Sequence, residues 1–116
     1  MSSYSLTILI LESLNRVGES KMSALARFMR VTTAAMTGTV DRLVRGGYCL
    51  RQDDSKDRRI IKVKLSLRGT KLVKKINVQR REMIIKIFSK ISEKDRLDYL
   101  RILTRIKEML VQENFV

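Results

Sequence analysis

The 116-residue sequence predicts a mainly α-helical fold that contains one two-stranded β-hairpin. Apolar residues recur at intervals of three and four over most of the chain, which is typical of helices packed against a core. Between residues 48 and 65, two short strand-like runs flank a charged turn instead. The apolar fraction of 44% is enough for one modest core, and no linker, repeat or low-complexity stretch interrupts the pattern.

Three short helices are predicted before the hairpin. Each begins at a residue whose side chain can cap a helix, and glycine follows the first and the third. The helices span Leu6 to Val17 after the cap Ser5, Ser20 to Met29, and Thr33 to Arg45 with Thr32 or Thr33 as cap. The glycines that end them are Gly18 and the pair Gly46 and Gly47, and residues 30–33 form a tight turn between the second and third helices.

The hairpin is followed by two longer helices. The strands of the hairpin are predicted at residues 48–51 and 60–65, with a polar tip at residues 52–59 between them. The long helix is predicted at residues 66–90 and the last helix at residues 92–113. Ser66 can cap the long helix, and Ser92 with Asp95 three residues later resembles a capping box. The predicted order is therefore helix, helix, helix, strand, strand, helix, helix.

Two short helices joined by a tight turn, the second closed by glycine, fit a helix-turn-helix. The hairpin that follows directly makes the unit a winged helix-turn-helix, with a generic three-helix packing unit as the alternative. We expect residues 1–66 to form this winged unit and residues 67–116 to form a helical dimerisation region, within one continuous fold.

Charge is the strongest functional signal in the sequence. The chain carries 25 Lys and Arg against 12 Asp and Glu, for a formal net charge of +13. Residues 21–81 hold 17 of the basic residues and only 4 acidic ones, so this segment carries the whole excess. Positive charge concentrated in one segment attracts a polyanion, and we expect nucleic acid to be the binding partner. An anionic membrane surface is the alternative.

The composition excludes several kinds of site. With no His and one Cys, the chain cannot form a disulfide framework, a His-dependent catalytic centre or an ordinary zinc site. We expect no metal, no cofactor, no membrane span and no enzymatic activity, in a cytoplasmic, nucleoid-associated protein. Carboxylates can act as acid and base, but Asp53, Asp54 and Asp57 fall in the charged tip rather than in a cleft. Cys49, on the first strand, is interpreted as a small core residue.

The third helix, at about residues 33–45, has an apolar side and an outward side. Met36, Val40 and Leu43 form the apolar stripe. The residues on the other side are Ala34, Thr37, Gly38, Asp41 and Arg45, with Arg42 at the flank. Small residues let a helix approach base edges, but only the two arginines offer a fork for bidentate contacts. We therefore expect a large share of phosphate and shape recognition.

The wing, residues 52–60, carries the sharpest local feature in its charged tip. An arginine at a loop tip suits the narrow, negative minor groove, and Asp57 can brace one neighbouring arginine while the other inserts. A mixed charge run alone is more often a solvated turn, but the preceding helix-turn-helix favours DNA binding. The candidate DNA-binding residues are Thr32, Thr33, Ala34, Thr37, Gly38 and Arg42 on the third helix and Lys56, Asp57, Arg58 and Arg59 at the tip. Thr32 and Thr33 can cap the helix, contact phosphate, or do both.

The apolar sides of the last two helices are too broad for one small domain to bury. The long helix also has a basic first half, so a membrane surface is an alternative partner. A closed two-fold homodimer would bury the apolar sides and set two third helices about one DNA turn apart. The candidate dimerisation residues are Ile84, Ile87, Phe88, Leu97, Leu100, Leu103, Ile106 and Leu110.

Three segments, in order and in register, resemble the multiple-antibiotic-resistance regulator (MarR) family of winged-helix transcription factors. They are residues 36–48, residues 57–59 at the tip and residues 65–69 at the start of the long helix, and the resemblance covers residues 4–113. It implies an obligate homodimer that binds a near-palindromic double-stranded DNA site. It also implies control of transcription, usually repression, which is often relieved by a small aromatic or phenolic ligand or by oxidation.

By position, the resemblance implies that Arg59 enters the minor groove, with Asp57 and Arg58 as its bracing partners. Three features depart from the family pattern. Relatives usually carry a further N-terminal helix, so this chain is expected to start at about their second helix. Some members have an arginine where Gly38 stands. Thiol-sensing members keep their reactive cysteine in the N-terminal region, whereas Cys49 falls on a strand.

These observations predict a dimeric, sequence-specific DNA-binding regulator of transcription. The third helix would lie in the major groove and the hairpin tip in the minor groove. The alternative is a low-specificity architectural protein of double-stranded DNA, which the small residues on the third helix and the high charge favour. The two differ in the ratio of specific to non-specific affinity rather than in affinity itself.

Overall fold

The computed structural model describes the backbone of residues 3–113 and the side chains of residues 5–113. Its elements are α1 (Ser3–Val17), β1 (Glu19–Lys21), α2 (Met22–Met29), α3 (Thr33–Arg45), β2 (Cys49–Asp53), β3 (Ile61–Leu65), α4 (Leu67–Phe88) and α5 (Glu93–Gln112). The predicted mainly helical winged fold is confirmed, with one strand more than expected. The chain divides into two compact units, the first ending at Asn77 inside α4 and the second beginning at Val78.

The three predicted helices before the hairpin form, but two of them begin elsewhere. α1 begins before Ser5, so the prediction that Ser5 caps this helix is wrong. α2 begins at Met22 because β1 occupies the positions around Ser20, the residue predicted to cap the helix. The N-cap is Lys21, whose side chain makes no capping hydrogen bond. α3 begins after the N-cap Thr32, as predicted.

The predicted hairpin forms, and a third strand joins it. β2 and β3 pair antiparallel, with Cys49 opposite Leu65 and Asp53 opposite Ile61. The first strand reaches Asp53 rather than Arg51 because its pairing with β3 continues that far. β1 pairs with the other edge of β3, so the strand order is β1-β3-β2. The two-stranded wing is therefore part of a three-stranded sheet.

The core of the first unit fills the space between α1, α2, α3, the first part of α4 and the sheet. Its buried apolar residues are Ile10, Leu11, Leu14, Met22, Leu25, Ala26, Met36, Val40, Leu43, Cys49, Val63 and Val73. The predicted stripe of Met36, Val40 and Leu43 is among them. Thr39 is also buried, and its hydroxyl donates to the carbonyl oxygen of Ala35 at 3.1 Å. A hydroxyl satisfied within its own helix can therefore sit in this core.

Cys49 is buried on β2, as the sequence predicted. Burial raises the pKa of the Cys49 thiol to about 11. The thiol therefore stays protonated at neutral pH, which suits a packing role, because the thiolate is the reactive form of cysteine.

The start of α4 is fixed to the turn between α3 and β2. The Ser66 hydroxyl accepts a hydrogen bond from the N–H of Gly69 at 3.0 Å and donates to the carbonyl oxygen of Gly47 at 2.5 Å. Arg68 lies over the ring of Tyr48, 4.5 Å from its centroid, and donates to its hydroxyl at 3.1 Å. A Cβ at Gly69 would lie 3.0 Å from the carbonyl carbon of Tyr48 and nearer still to its oxygen. Only glycine fits this close approach of backbones.

The second unit contains the end of α4 and all of α5. α4 ends at Phe88 rather than Lys90, and the N-cap of α5 is Ser92, as predicted. The Ser92 hydroxyl accepts a hydrogen bond from the N–H of Asp95 at 3.2 Å. The rings of Phe88 and Tyr99 pack at 5.5 Å between centroids. No residue of α5 is buried.

Candidate nucleic-acid interface

The first turn of α3 presents small and hydroxyl side chains at the surface. Thr32 is its N-cap, and the Thr32 hydroxyl accepts a hydrogen bond from the N–H of Ala35 at 3.1 Å. Thr33 and Ala34, the next two residues, are exposed. The first N–H groups of a helix have no partner within it and favour a negatively charged ligand. The Thr32 side chain is thus engaged in capping, while Thr33 and Ala34 lie open to a phosphate.

The outward side of α3 is open but carries few recognition groups. Thr37 and Gly38 are partly exposed, and a Cβ at Gly38 would meet nothing within 4 Å. Nη2 of Arg42 donates to the hydroxyl of Thr39 at 3.2 Å, so this guanidinium lies along the helix. Arg45 is exposed near the end of α3. The small central residues leave room for a close ligand, and the forked side chains flank them.

The tip of the wing is folded around Asp54. One of its carboxylate oxygens accepts hydrogen bonds from the N–H groups of Lys56 and Asp57, both at 3.0 Å. The other lies 3.1 Å from Nζ of Lys62, which is also 3.6 Å from a carboxylate oxygen of Glu19 on β1. The bond from Lys62, with those from the backbone, lowers the pKa of Asp54, and the same pair raises the pKa of Lys62. The unpredicted strand thus helps to fix the wing.

Asp57 holds Arg59 by three hydrogen bonds. Its Oδ1 accepts from the backbone N–H at 3.0 Å and from Nε at 3.1 Å, and its Oδ2 accepts from Nη2 at 3.1 Å. The side-chain bond from Arg59 is the main cause that lowers the pKa of Asp57. The Arg59 side chain is still 90% exposed, so it is positioned and accessible. Arg58, which was expected to help brace Arg59, makes no hydrogen bond or ion pair within residues 5–113.

α3 and the wing border one shallow depression of about 160 Å³. Arg59 reaches it from the wing, Thr33 and Thr37 from α3, and Lys21 and Ser23 from the junction of β1 and α2. Side chains from three separate stretches of the chain therefore share one surface. The third helix, which was predicted to lie in the major groove, and the wing arginine are brought together, while Arg42 lies farther along α3 and outside this depression.

Most acidic side chains near this surface are paired with basic ones. The ion pairs are Asp41 with Arg51, Asp54 with Lys62 and Asp57 with Arg59. Three of the four acidic residues in the basic segment 21–81 are therefore locally compensated. This removes much of the repulsion that such carboxylates would exert on a polyanion. Arg51 and Lys62 are not among the predicted site residues, although alternation along β3 places Lys62 and Lys64 on the side of the strand away from the buried Val63.

Within residues 5–113, no Asp, Glu or Cys side chains form a group of three that could hold a metal ion. No described helix combines the length and the apolar content needed to cross a membrane.

Comparison with known proteins identifies the family. The sequence model of the protein family described as MarR family matches residues 5–61 of this chain. HTH-type transcriptional repressor MdtR of Bacillus subtilis strain 168 is 27% identical over 101 residues, which are 87% of this chain and 65% of MdtR. The transcriptional regulator BldR of Sulfolobus solfataricus is 31% identical, with a TM-score of 0.63, over 87% of this chain and 73% of BldR. The chain belongs to the MarR family.

Another solved structure supports the shared architecture. The YusO protein of Bacillus subtilis has a TM-score of 0.80 and 26% identity, over 89% of this chain and 73% of YusO. The MarR-family chain described here spans 65% of the length of MdtR.

Proposed function

We propose that this MarR-family chain is a dimeric, sequence-specific DNA-binding repressor of transcription. The depression shared by Arg59 of the wing and by Thr33 and Thr37 of α3 is the observation that supports it most. A helix for the major groove and an arginine for the adjacent minor groove are the two parts that a winged regulator needs. The concentrated positive charge supplies the attraction to the phosphate backbone. Likeness to MdtR, which is named a repressor, supports repression.

In this proposal α3, residues 33–45, lies in the major groove. Ala34, Thr37 and Gly38 let the helix backbone approach base edges, and a threonine methyl can contact the methyl group of thymine. Arg42 supplies the fork for a base or a phosphate and exchanges its bond within α3 for that contact. Because small residues dominate, much of the discrimination comes from DNA shape.

The wing, residues 52–60, follows the backbone into the minor groove. Asp57 holds Arg59 in one geometry, so little side-chain freedom is lost when the arginine inserts. Lys56 and Arg58 are exposed beside it and bind the phosphates that flank the groove.

The second unit pairs with a second copy of the chain. Seven of the eight candidate dimerisation residues are between 39% and 59% exposed in the single chain. They are Ile84, Ile87, Leu97, Leu100, Leu103, Ile106 and Leu110. So many half-exposed large apolar side chains are unusual on a monomer, and a two-fold interface would cover them on both chains at once. The pair then binds a near-palindromic site, since two-fold protein symmetry is matched by two-fold DNA symmetry.

The second candidate function is an architectural protein that binds double-stranded DNA with little sequence preference. Two observations favour it: the small residues on the outward side of α3, and the bond that ties Arg42 to Thr39. Release by a small aromatic effector is supported by the family resemblance alone. Catalysis is not proposed, because the relatives are named as regulators of transcription.

Arg59→Ala is expected to weaken binding to a selected duplex about 10- to 100-fold, mostly at sites with a narrow A·T minor groove. The loss arises because the field of a narrow groove attracts the guanidinium more strongly than a single phosphate does. Fluorescence anisotropy at fixed salt, on matched A·T-rich and G·C-rich flanking sequences, measures it.

Arg58→Ala is the matched control, because it removes the same charge from the neighbouring residue. It should weaken binding less and equally on both duplexes, as removal of a phosphate contact does. Equal, sequence-independent losses for the two variants would reduce Arg59 to a phosphate contact.

DNA affinity is expected to stay constant between about pH 5 and about pH 8, within roughly twofold. The chain has no His, and the pKa values of the wing carboxylates of Asp54 and Asp57 are lowered from 3.8 by their hydrogen bonds. Because the pKa of each carboxyl is lower in the folded state, the charged, hydrogen-bonded form is fully populated above the unfolded-state pKa. It is lost only as the pH falls through the folded-state pKa. Titrating the binding constant in buffers of equal ionic strength tests this, and a marked change across neutral pH would show that another group controls the wing.

A further inference from the structure

Arg30, at the end of α2, has a backbone conformation that suits glycine. Its φ is 56° and its ψ is 45°, in the left-handed region. No other non-glycine residue in the described part of the chain has a positive φ. The other two positive-φ positions there are Gly18, at 87°, and Gly47, at 82°. A Cβ is disfavoured in this region, so an arginine here carries a conformational cost that glycine would not.

The fold does not use the Arg30 side chain to offset that cost. The capping hydrogen bonds at this turn come from backbone groups: the Arg30 N–H donates to the carbonyl of Arg27 at 3.2 Å, and the Val31 N–H to that of Ala26 at 3.0 Å. A glycine would make the same bonds. The Arg30 side chain is exposed and has no hydrogen-bond or ion-pair partner among residues 5–113. The strained residue therefore presents a free cation rather than a structural contact.

Arg30 lies in the short turn that leads from α2 into α3. Val31 packs against the core, and the residues on either side of it, Arg30 and Thr32, are exposed. Thr32 is the N-cap of α3, so Arg30 lies at the entry of the recognition helix. The free N–H groups at the start of a helix favour a phosphate, so a cation just before α3 lies where the DNA backbone would pass.

We propose that Arg30 binds a phosphate of the DNA backbone at the entry of α3, and that it stands in place of glycine for this reason. The inference rests on the proposed function. A guanidinium matches a phosphate through two parallel hydrogen bonds, which gives the contact both strength and a defined orientation. Backbone strain kept at an exposed residue is a pattern associated with function.

The first test is Arg30→Gly, assayed for thermal unfolding and for binding to a selected and a scrambled duplex over a range of salt concentrations. The expected Tm is equal to that of the wild type or higher, because the strain is relieved. Affinity is expected to fall on the order of tenfold on both duplexes. The slope of log K against log salt should become shallower by about 0.9 for each phosphate that is no longer bound, hence by about 1.8 for a dimer.

Two further variants separate charge from backbone. Arg30→Lys keeps both the cation and the Cβ, and we expect it to retain most of the affinity and of the salt slope at an unchanged Tm. Arg30→Asn keeps a Cβ that tolerates the left-handed region but carries no charge, and we expect it to match Arg30→Gly in binding.

Unchanged affinity and salt slope in Arg30→Gly would overturn the proposal. If Arg30→Gly instead unfolds at a lower temperature, the Lys and Asn variants decide, and equal affinity of these two would overturn it as well. The proposed function fails separately: its failure is wild-type protein that binds neither duplex, or both equally. If the wild-type protein prefers the selected duplex and Arg30→Gly binds DNA as the wild type does, only the proposed role of Arg30 is rejected and the proposed function stands.

Discussion

Gly69→Ala is expected to lower the free energy of unfolding by about 3 kcal/mol or more. A Cβ at this position would overlap the carbonyl group of Tyr48, whose oxygen accepts a hydrogen bond from the N–H of Ser66 at 3.0 Å. The carbonyl cannot move aside without breaking that bond, and the obstacle is backbone rather than a flexible side chain. Urea unfolding followed by circular dichroism, at one protein concentration, measures the change.

Gly38→Ala is the matched control, because it makes the same substitution inside a helix. A Cβ there would meet nothing within 4 Å. It should leave stability unchanged or raise it by up to about 1 kcal/mol, the usual gain of alanine over glycine in a helix. Similar effects of the two substitutions would contradict the packing described at the start of α4.

The double variant Leu100→Glu with Leu103→Glu is expected to be monomeric and to bind a selected duplex on the order of 10²- to 10⁴-fold more weakly. Leu100 is 59% exposed and Leu103 is 43% exposed, so the single chain tolerates both changes. In a dimer, however, these charges would lie in an apolar interface without partners. Once the dimer is lost, each half-site is bound alone and the gain from simultaneous binding disappears.

Light scattering after size-exclusion chromatography gives the mass, which should be 13.5 kDa for the variant and twice that for the wild type. Arg101→Gln with Arg105→Gln is the control, because it lowers the net charge by the same amount from the same helix. It should remain dimeric. A dimeric Leu100 and Leu103 variant with unchanged affinity would show that α5 is not the interface.

Helix and hairpin positions could be predicted because their signals are local. Apolar spacing and a hydroxyl cap are enough to locate α3 and α5, and they were confirmed at Thr32 and Ser92. β1 could not be predicted, because its three residues are polar and the segment is short. They become a strand only through pairing with β3, which brings Lys21 opposite Lys62, a residue far along the chain.

The candidate site was predictable to a similar degree. The charged tip is visible in the sequence, and Asp57 and Arg59 lie only two residues apart within it. The hydrogen bonds between these two side chains follow from that proximity. The support that Lys62 gives to Asp54, and that Arg51 gives to Asp41, depends on strand register and was missed. Local pairs are visible in a sequence, whereas partners across a sheet depend on the fold.

The conformation of Arg30 could not be predicted from the sequence either. A residue in a tight turn can close α2 in several ways, and an arginine gives no sign that it adopts a positive φ. Glycine at such a position would have indicated the left-handed cap directly, as Gly18 did for the end of α1.

Selection of bound fragments from a random duplex library, at near-physiological salt and followed by sequencing, tests the central claim most directly. The proposal predicts a two-fold symmetric motif with half-sites about one helical turn apart. Strong binding without any enriched motif would contradict a sequence-specific dimeric regulator and support the architectural alternative.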